Sequence, residues 1–373
     1  MQRPNYDTAR AEAGFRWHVA HSQGALREVT GIPIRDFNLQ PEACIEAYRR
    51  GRPILDEMFG PDVAPVGLAT PAVSYGHVNG LGSELIFPEG GEVAHTHIYS
   101  SLEEGIEALQ RPVDFATAGM APFFLDFRRQ MEAAFPGQKI GLSYGMEGPI
   151  TTAWELRGSG FFTDIFDQPD AVREFLRLVV ESLLQFHRFR CSVDGADVIN
   201  PDGAGMVDDI ASNIPPHLFS DLVVPYWDAW YRGRTTGRRS AHVEDLRPAQ
   251  LPFLEEIGLS FYDPSISHRL NPKIIRDSCR VPFGWRLGSF HYLNLTADDV
   301  RDFVFQAVAD GACSVFTYTE TLLVHEPQRT KVFSFIEAAK QVEKAFQEGA
   351  GREDIARLVS DRGRAKFWDH WLE

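Results

Sequence analysis

Strand-like and helix-like segments alternate through the last two-thirds of this sequence, and this rhythm limits the folds open to the chain. A strand, a crossover helix and a second strand in succession favour parallel pairing of the two strands. Strands are predicted at Lys139–Tyr144, Asp197–Asn200, Arg239–Val243, Leu259–Tyr262, Val281–Leu287 and Cys313–Tyr318. The pattern therefore predicts an α/β fold built on a parallel sheet.

Two further segments bring the number of predicted strands to eight. Asp62–Leu68 is a short apolar run bounded by Pro and Gly, and Ile32–Phe37 is a candidate in the N-terminal region. Eight strands favour a (β/α)8 TIM barrel over an open doubly wound sheet, because no GxGxxG follows any strand. We expect an N-terminal extension or cap at 1–61, the barrel at 62–346 and a C-terminal tail at 347–373.

Helices are predicted between these strands from apolar spacing and from capping residues. Gly51 is read as the stop of a helix, Asp167 and Thr296 as N-caps, and Pro225 as a break. The predicted helices are Pro41–Arg50, Ser100–Leu109, Pro122–Phe135, Pro169–Phe189, Pro216–Tyr231, Leu251–Ile257, Pro272–Cys279, Ala297–Asp310 and Pro327–Phe346.

Composition and charge exclude several classes of protein. A hydrophobic fraction of 44% with 27 Phe argues against a disordered chain. A formal net charge of -15 disfavours non-specific binding to nucleic acid or to an anionic membrane. The four cysteines form no CxxC, and the sequence has neither a signal-type apolar segment nor an apolar run of about 20 residues. We therefore expect reduced thiols and a cytoplasmic location.

Ionisable residues follow most of the predicted strands, where barrel enzymes carry their chemistry. Asp208 and Asp209 are candidate acid–base residues, or caps of the helix that follows them. Glu147 is a third catalytic candidate, and Asp202 and His291 are candidate substrate contacts.

His242, Glu244 and Glu320 form a candidate metal site. Residues two apart on a strand point to the same side, so the imidazole of His242 and the carboxylate of Glu244 can face one ion. Glu320 follows the last strand and supplies a second carboxylate. One His and two carboxylates can bind zinc, iron or manganese. An ordinary hydrogen-bonded His–Glu pair is the alternative.

His95 and His97 lie in a segment that is predicted to cover the mouth of the barrel. They are candidates for substrate contacts or for metal ligation. Cys313 is at the start of its strand, on the face of a barrel that serves stability, so we expect it to be buried.

Long stretches of the chain resemble the uroporphyrinogen decarboxylase superfamily. They are GMEGPITTAWELRGSGFFTDIFDQPDAVREFL, with a "GP-x-T-x-A" turn, and DGAGMVDDIASNIPPHLFSDLVVPYWDAWY, with an acidic pair before a Pro-containing helix. The similarity covers roughly Ala47 to Glu343. The resemblance implies a (β/α)8 barrel, in agreement with the strand count.

Two branches of that superfamily differ in chemistry. True uroporphyrinogen decarboxylases carry an N-terminal "R-Q-A-G-R" segment, and this chain has none. Zinc methyltransferases of the other branch exchange methyl groups between corrinoid proteins and thiols, and they hold zinc by "H-x-C" and a later Cys. This chain reads His242-Val243-Glu244 at the first position and has Glu320 near the second.

The resemblance thus implies a metal-dependent methyltransferase-like enzyme that acts on a small methylated or thiol-type substrate. It also implies one divalent metal, zinc, and a corrinoid protein as partner, although carboxylates in place of thiolates put the thiol acceptor and the metal's identity in doubt. A decarboxylase-type lyase without metal, using Asp202, Asp208 or Asp209, is the alternative. A ligand-binding barrel without catalysis is the third.

Overall fold

Helices and short strands alternate along the chain, as the sequence pattern predicts. The computed structural model describes residues 3–366, so residues 1–2 of the predicted extension and 367–373 of the predicted tail lie outside the described part. The strands are β1 (Arg16–His21), β2 (Leu85–Ile86), β3 (Ala94–His95), β4 (Gly203–Val207), β5 (Arg238–His242), β6 (Phe261–Asp263), β7 (Gly284–Arg286) and β8 (Ser314–Thr319).

The helices include two long ones, Pro169–Asp194 with 26 residues and Gln328–Gln347 with 20 residues. The helices of the first half are α1 (Ala9–Ala13), α2 (Gln23–Thr30), α3 (Ile34–Leu39), α4 (Pro41–Phe59), α5 (Gly76–Gly80), α6 (Leu102–Leu109), α7 (Ala121–Ala134), α8 (Pro149–Arg157) and α9 (Gly160–Asp167). Those of the second half are α10 (Pro169–Asp194), α11 (Phe219–Leu222), α12 (Val224–Arg232), α13 (Pro252–Glu256), α14 (Pro272–Ser278), α15 (Ala297–Ala309), α16 (Gln328–Gln347), α17 (Arg352–Ala356) and α18 (Asp361–Lys366). In the described part of the chain, no helix combines the length and the apolar character needed to cross a membrane.

The described chain divides into two compact units. Unit 1 contains Pro33–Ile45 and Gly67–Ala241. Unit 2 contains the segment up to Ile32, Glu46–Val66 and the chain from His242 onward.

Unit 2 is organised around the parallel strands β1, β8 and β7. Arg16 pairs with Ser314 and His21 with Thr319, so the N-terminal strand lies directly beside the last one. β7 pairs with the other edge of β8, also in parallel. Parallel pairing confirms the mixed α/β class, while closure of eight strands into one barrel stays a prediction.

The N-terminal strand is β1, and the prediction of a strand at Ile32–Phe37 was wrong. That segment forms α3, which follows Pro33 at φ -59°. Proline pre-sets the backbone for a helical start. Ile34 and Phe37 are three residues apart, so both project from one side of the helix, where Phe37 is 2% exposed.

Two predicted strands are reduced to single bridges. Lys139–Tyr144 makes separate parallel bridges, Ala69 with Gly141 and Val73 with Tyr144, in unit 1. The predicted strand Asp62–Leu68 also forms no continuous ladder. It contains Pro65, which has no N–H to donate.

The position of β4 also differs from the prediction, and β4 leads directly to the candidate site residue Asp208. The strand was predicted at Asp197–Asn200, but it is formed by Gly203–Val207, and Asn200 makes one isolated bridge with Thr235. Gly203 has φ +154°, and a Cβ there would lie 2.7 Å from the carbonyl oxygen of Arg238. Glycine therefore permits a close approach at a position that sequence propensity marks as a turn.

The helix ends differ from prediction where packing overrides local signals. α4 continues through Gly51, which was predicted to end the helix. A Cβ on Gly51 would lie 2.8 Å from the Leu26 side chain, so glycine is required there for close packing and does not terminate the helix. α10 has Gln168 rather than Asp167 at its N-cap. The Thr296 cap of α15 is confirmed as a capping box with Asp299.

The break predicted at Pro225 is confirmed, since α11 ends at Leu222 and α12 begins at Val224. All four cysteines are buried and none is in a disulfide, and Cys313 is 0% exposed, as expected.

Candidate functional site

Asp208 is the most enclosed of the candidate residues. It directly follows β4 and is fully buried. Its Oδ1 accepts a hydrogen bond from the backbone N–H of Thr151 at 2.6 Å. Its Oδ2 accepts from the N–H of Ile150 at 3.2 Å and from the indole N–H of Trp227 at 2.6 Å. The carboxylate thus binds the N-terminal end of α8, where unpaired N–H groups favour an anion.

The two sequence stretches that carry the family resemblance meet at this contact. Gly148 precedes Pro149, the first residue of α8, and a Cβ on Gly148 would lie 2.5 Å from the Cβ of Asp208. Only glycine leaves room for the carboxylate to reach the helix N-terminus.

Gly148→Ala should therefore destabilise the protein by about 1–3 kcal/mol or more, because the added methyl group overpacks the contact with Asp208. The backbone at Gly148 (φ -74°) suits alanine, so the loss would come from the clash alone. Urea denaturation of the purified variant measures it. Gly67→Ala is the matched control, since no atom of the described residues lies within 4 Å of its added Cβ. Equal stability of the two variants would contradict the contact described.

Asp208 and Glu155 are buried carboxyl groups with raised pKa values. Burial raises the pKa of Asp208 to about 6, against the opposing effect of its hydrogen bonds from Thr151 and Trp227. Glu155, on α8, is 2% exposed, and burial followed by the charges of Glu147 and Asp208 raises its pKa well above the ordinary value. The predicted catalytic residues Glu147 and Asp208 thus share one environment, and Glu155 favours its protonated form there.

His95 and His97 lie together in an aromatic group. Their ring centroids are 5.4 Å apart, and the ring of His97 is 5.1 Å from Trp154. The ring of Tyr75 lies 4.4 Å from His95. Nδ1 of His97 is 2.8 Å from the carbonyl oxygen of Glu155, which joins this segment to α8. Burial lowers the pKa of His95.

Asp202 and Asp209 are placed differently from Asp208. Asp202 is exposed and precedes β4, so the strand separates it from Asp208. Asp209 begins the 3-10 turn Asp209–Asn213, and its carbonyl accepts a hydrogen bond from the Ser212 hydroxyl. The predicted roles of both residues in substrate binding and catalysis stay predictions.

In unit 2, His242 is held by a carboxylate that the sequence analysis did not select. Nδ1 of His242, the last residue of β5, is 2.8 Å from Oδ2 of Asp263, the last residue of β6. Oδ1 of Asp263 accepts a hydrogen bond from the N–H of Ser265 at 2.7 Å. Nε2 of His242 is 3.9 Å from Oε1 of Glu244, so the predicted pair does lie together.

Glu320 is engaged by a cation and a hydroxyl. Its Oε1 lies 3.0 Å from a guanidinium nitrogen of Arg286, the last residue of β7, and its Oε2 accepts from the Ser289 hydroxyl at 3.1 Å. The guanidinium also lies over the ring of Tyr318, 5.1 Å from its centroid. Burial, followed by the charges of His268 and Arg286, lowers the pKa of His291 to about 4, so His291 is neutral near pH 7.

Two of the three residues predicted to hold a metal, His242 and Glu320, are bonded to other side chains in this structure. Both oxygens of Glu320 are already bonded, and a cationic arginine beside it opposes a dication. In the described part of the chain, no three His, Cys, Asp or Glu side chains gather as a metal-holding group. The Asp263–His242 bond does resemble the support that metal-bound histidines receive. The metal and its zinc identity stay predictions from the sequence.

Asp263, Arg286, Glu155 and Trp227 are the functional candidates that sequence reasoning missed or left unassigned. Asp263 was one of the ionisable residues at predicted strand ends, and its pairing with His242 depends on β6 lying next to the end of β5. Arg286 ends the run FGWR, so its position at a strand end was the available signal. Nothing in the local sequence marked Glu155 or Trp227.

Comparison with known proteins now identifies the family. The family profile described as uroporphyrinogen decarboxylase (URO-D) matches residues 25–247, which is more than half of the chain. The chain belongs to the URO-D family. The match includes the GP turn, the acidic pair and the His242–Glu244 pair, and it confirms the resemblance found in the sequence.

Solved structures agree on the fold of this URO-D family member, and 26 chains match. One is a methyltransferase from Methanosarcina mazei, with a TM-score of 0.63 and 17% sequence identity; the match covers 90% of this chain and 97% of that chain. At this identity the likeness concerns the fold. No curated protein matches the chain.

Proposed function

We propose that this URO-D family member is a methyltransferase-like enzyme that transfers a methyl group from a small methylated compound or a corrinoid protein to a thiol-type acceptor. The single observation that carries the proposal is the Asp263–His242 pair at neighbouring strand ends. Family membership and the fold shared with a methyltransferase support it.

The pair gives His242 a defined chemical role. A neutral imidazole that donates its Nδ1–H to Asp263 carries its lone pair on Nε2, where it can accept a proton. In the proposed reaction Nε2 takes the proton of the acceptor thiol. The thiolate sulfur then forms a bond to the methyl carbon, and the bond between that carbon and the donor breaks, leaving its electron pair on the donor.

Metal analysis tests whether His242 acts as a base or as the zinc ligand predicted from the sequence. With Glu320 bonded to Arg286 and Ser289, we expect protein dialysed against a chelator to retain methyl transfer. About one equivalent of zinc in the purified protein, lost in His242→Ala and required for activity, would instead establish the metal-dependent mechanism. Glu320→Gln is the matched variant, because it removes the predicted third ligand and keeps the side chain's size.

The methyl donor is identified by a screen of methylated amines, ethers and thioethers, with and without an added corrinoid protein. Methyl transfer that requires the corrinoid protein would support the proposed partner. Transfer without it would assign the donor role to the small molecule.

A decarboxylase-type lyase is less well supported by the site. Of the three aspartates considered for that reaction, Asp202, Asp208 and Asp209, the Asp208 carboxylate is fully buried and bonded by Ile150, Thr151 and Trp227, so it does not face a substrate. Release of CO2 from a carboxylated substrate, without methyl transfer, would favour the lyase.

A further inference from the structure

A cavity of about 360 Å³ in unit 1 lies beside the last turns of α10. Two arginines, Arg190 and Arg234, line it together with His187, Cys191 and Trp230. The remaining wall comes from the segments 145–147 and 205–207 and from Phe186, Asp194 and Ala196.

Arg234 carries an uncompensated positive charge in this cavity. Its guanidinium lies over the ring of Trp230, 4.1 Å from the centroid. Within the described residues, no carboxylate forms an ion pair with Arg234. Burial lowers the pKa of Arg234 to about 10, and the neighbouring Arg190 acts in the same direction.

Arg190 is fixed by the backbone rather than neutralised. It donates hydrogen bonds to the carbonyl oxygens of Tyr144 and Leu142. Its nearest carboxylate is Asp194 at 3.9 Å, and Asp194 also lies 2.7 Å from Arg128. One carboxylate is thus shared by two arginines, and Glu147 is the other acidic residue of the lining.

Several buried N–H groups around the cavity have no acceptor. They are Nε of Arg190, Nε of Arg234 and Nε1 of Trp230, none of which has a hydrogen-bond partner among the described residues. Buried donors are normally paired, and exceptions call for an explanation such as a bound ion, water or ligand. An anion in the cavity would offset the buried positive charge and give the donors an acceptor after a small adjustment of the side chains.

We propose that this cavity binds a small molecule through a carboxylate or phosphate group, with Arg234 as the main contact and Arg190 beside it. The planar guanidinium fork matches both kinds of oxyanion. The volume is near the lower end of small-molecule sites, which limits the ligand to a compact one. The inference is independent of the proposed methyl transfer.

Isothermal titration of the full chain with inorganic phosphate, and separately with acetate, tests the site against sodium chloride at equal ionic strength. We expect at least one of the two to bind in a 1:1 ratio and to saturate below about 10 mM. Arg234→Met keeps an apolar side chain over Trp230 but removes the charge, and it should weaken binding by about tenfold or more. Arg234→Lys keeps the positive charge but loses the two-pronged guanidinium group, so its affinity for the anion should lie between those of the wild type and Arg234→Met.

Arg232→Met is the control two residues away, at the end of α12, because Arg232 is 76% exposed, pairs with Asp228 and does not line the cavity. Its affinity should match the wild type. Failure of both anions to bind the wild-type protein would overturn the proposal. Unchanged binding in Arg234→Met would also overturn the proposal, provided that circular dichroism shows Arg234→Met and Arg232→Met to be folded. The tighter of the two anions identifies the group that the natural ligand carries.

Discussion

His242→Ala should lower kcat/KM for methyl transfer by about 10²–10⁴-fold, the usual contribution of a positioned general base. The side chain is about one-quarter exposed, at 27%, and ends a strand, so the fold should tolerate its removal. The measurement is steady-state methyl transfer with the donor found in the screen. His217→Ala is the control, since His217 is an exposed histidine and should keep wild-type activity.

Asp263→Asn makes the same test through the partner of His242. The amide oxygen can still accept the N–H of Ser265, but an NH2 group facing His242 would favour the tautomer with its proton on Nε2. The base would then be blocked, and we expect a loss comparable to that of His242→Ala, about 10²–10⁴-fold. If both His242→Ala and Asp263→Asn keep activity within about threefold of wild type, the proposed catalytic pair is incorrect.

Asp208→Ala should destabilise the protein by about 3 kcal/mol or more at neutral pH. The substitution leaves the N–H groups of Ile150 and Thr151 and the indole N–H of Trp227 without their acceptor, and each buried unpaired donor costs about 1–3 kcal/mol. Urea denaturation measures the loss. Asp202→Ala is the control, because Asp202 is exposed and its removal should change stability by no more than about 0.5 kcal/mol.

The pH dependence of this loss has a definite sign. Because the pKa of Asp208 is about 6 in the folded protein and 3.8 is its ordinary value, the native state holds the proton more tightly than the unfolded chain. The stabilisation is therefore present below about pH 4 and is lost as the pH rises to about 6. At about 1.4 kcal/mol per pH unit, the difference is about 3 kcal/mol. The destabilisation by Asp208→Ala should thus be larger at pH 4 than at pH 7, and a loss that grows with pH would contradict the assignment.

Sequence reasoning located the strands of the second half well, because their apolar runs lie between clear breaks. Arg239–Val243 was predicted and β5 is Arg238–His242; Cys313–Tyr318 was predicted and β8 is Ser314–Thr319. It missed β4, since glycines at 203 and 205 are weak strand formers that the structure uses for close approach.

The sequence predicts which ionisable residues lie at strand ends, but it does not predict which of them form hydrogen bonds with each other. His242 and Glu244 do lie close together, although β5 ends at His242 and Glu244 lies in the turn that follows, so strand periodicity is not what brings them together. The contacts of His242 with Asp263 and of Glu320 with Arg286 depend on which strand ends are neighbours in the fold. The order of strands in a sheet cannot be read from a single sequence. The same limit explains why the contact between Arg286 and Glu320 was not predicted, while the metal at Glu320 stays a prediction.

The pairing of β1 with β8 places a constraint on the order in which the chain can acquire structure. Residues of the two strands are 298 positions apart, as for His21 and Thr319. Contacts this distant in sequence slow folding, because a long loop must close before they form. On the ribosome, one edge of β1 therefore stays unpaired until the residues of β8 have emerged. Nascent chains of this protein should thus expose a strand edge for most of their synthesis, when a chaperone or a neighbouring nascent chain can bind it.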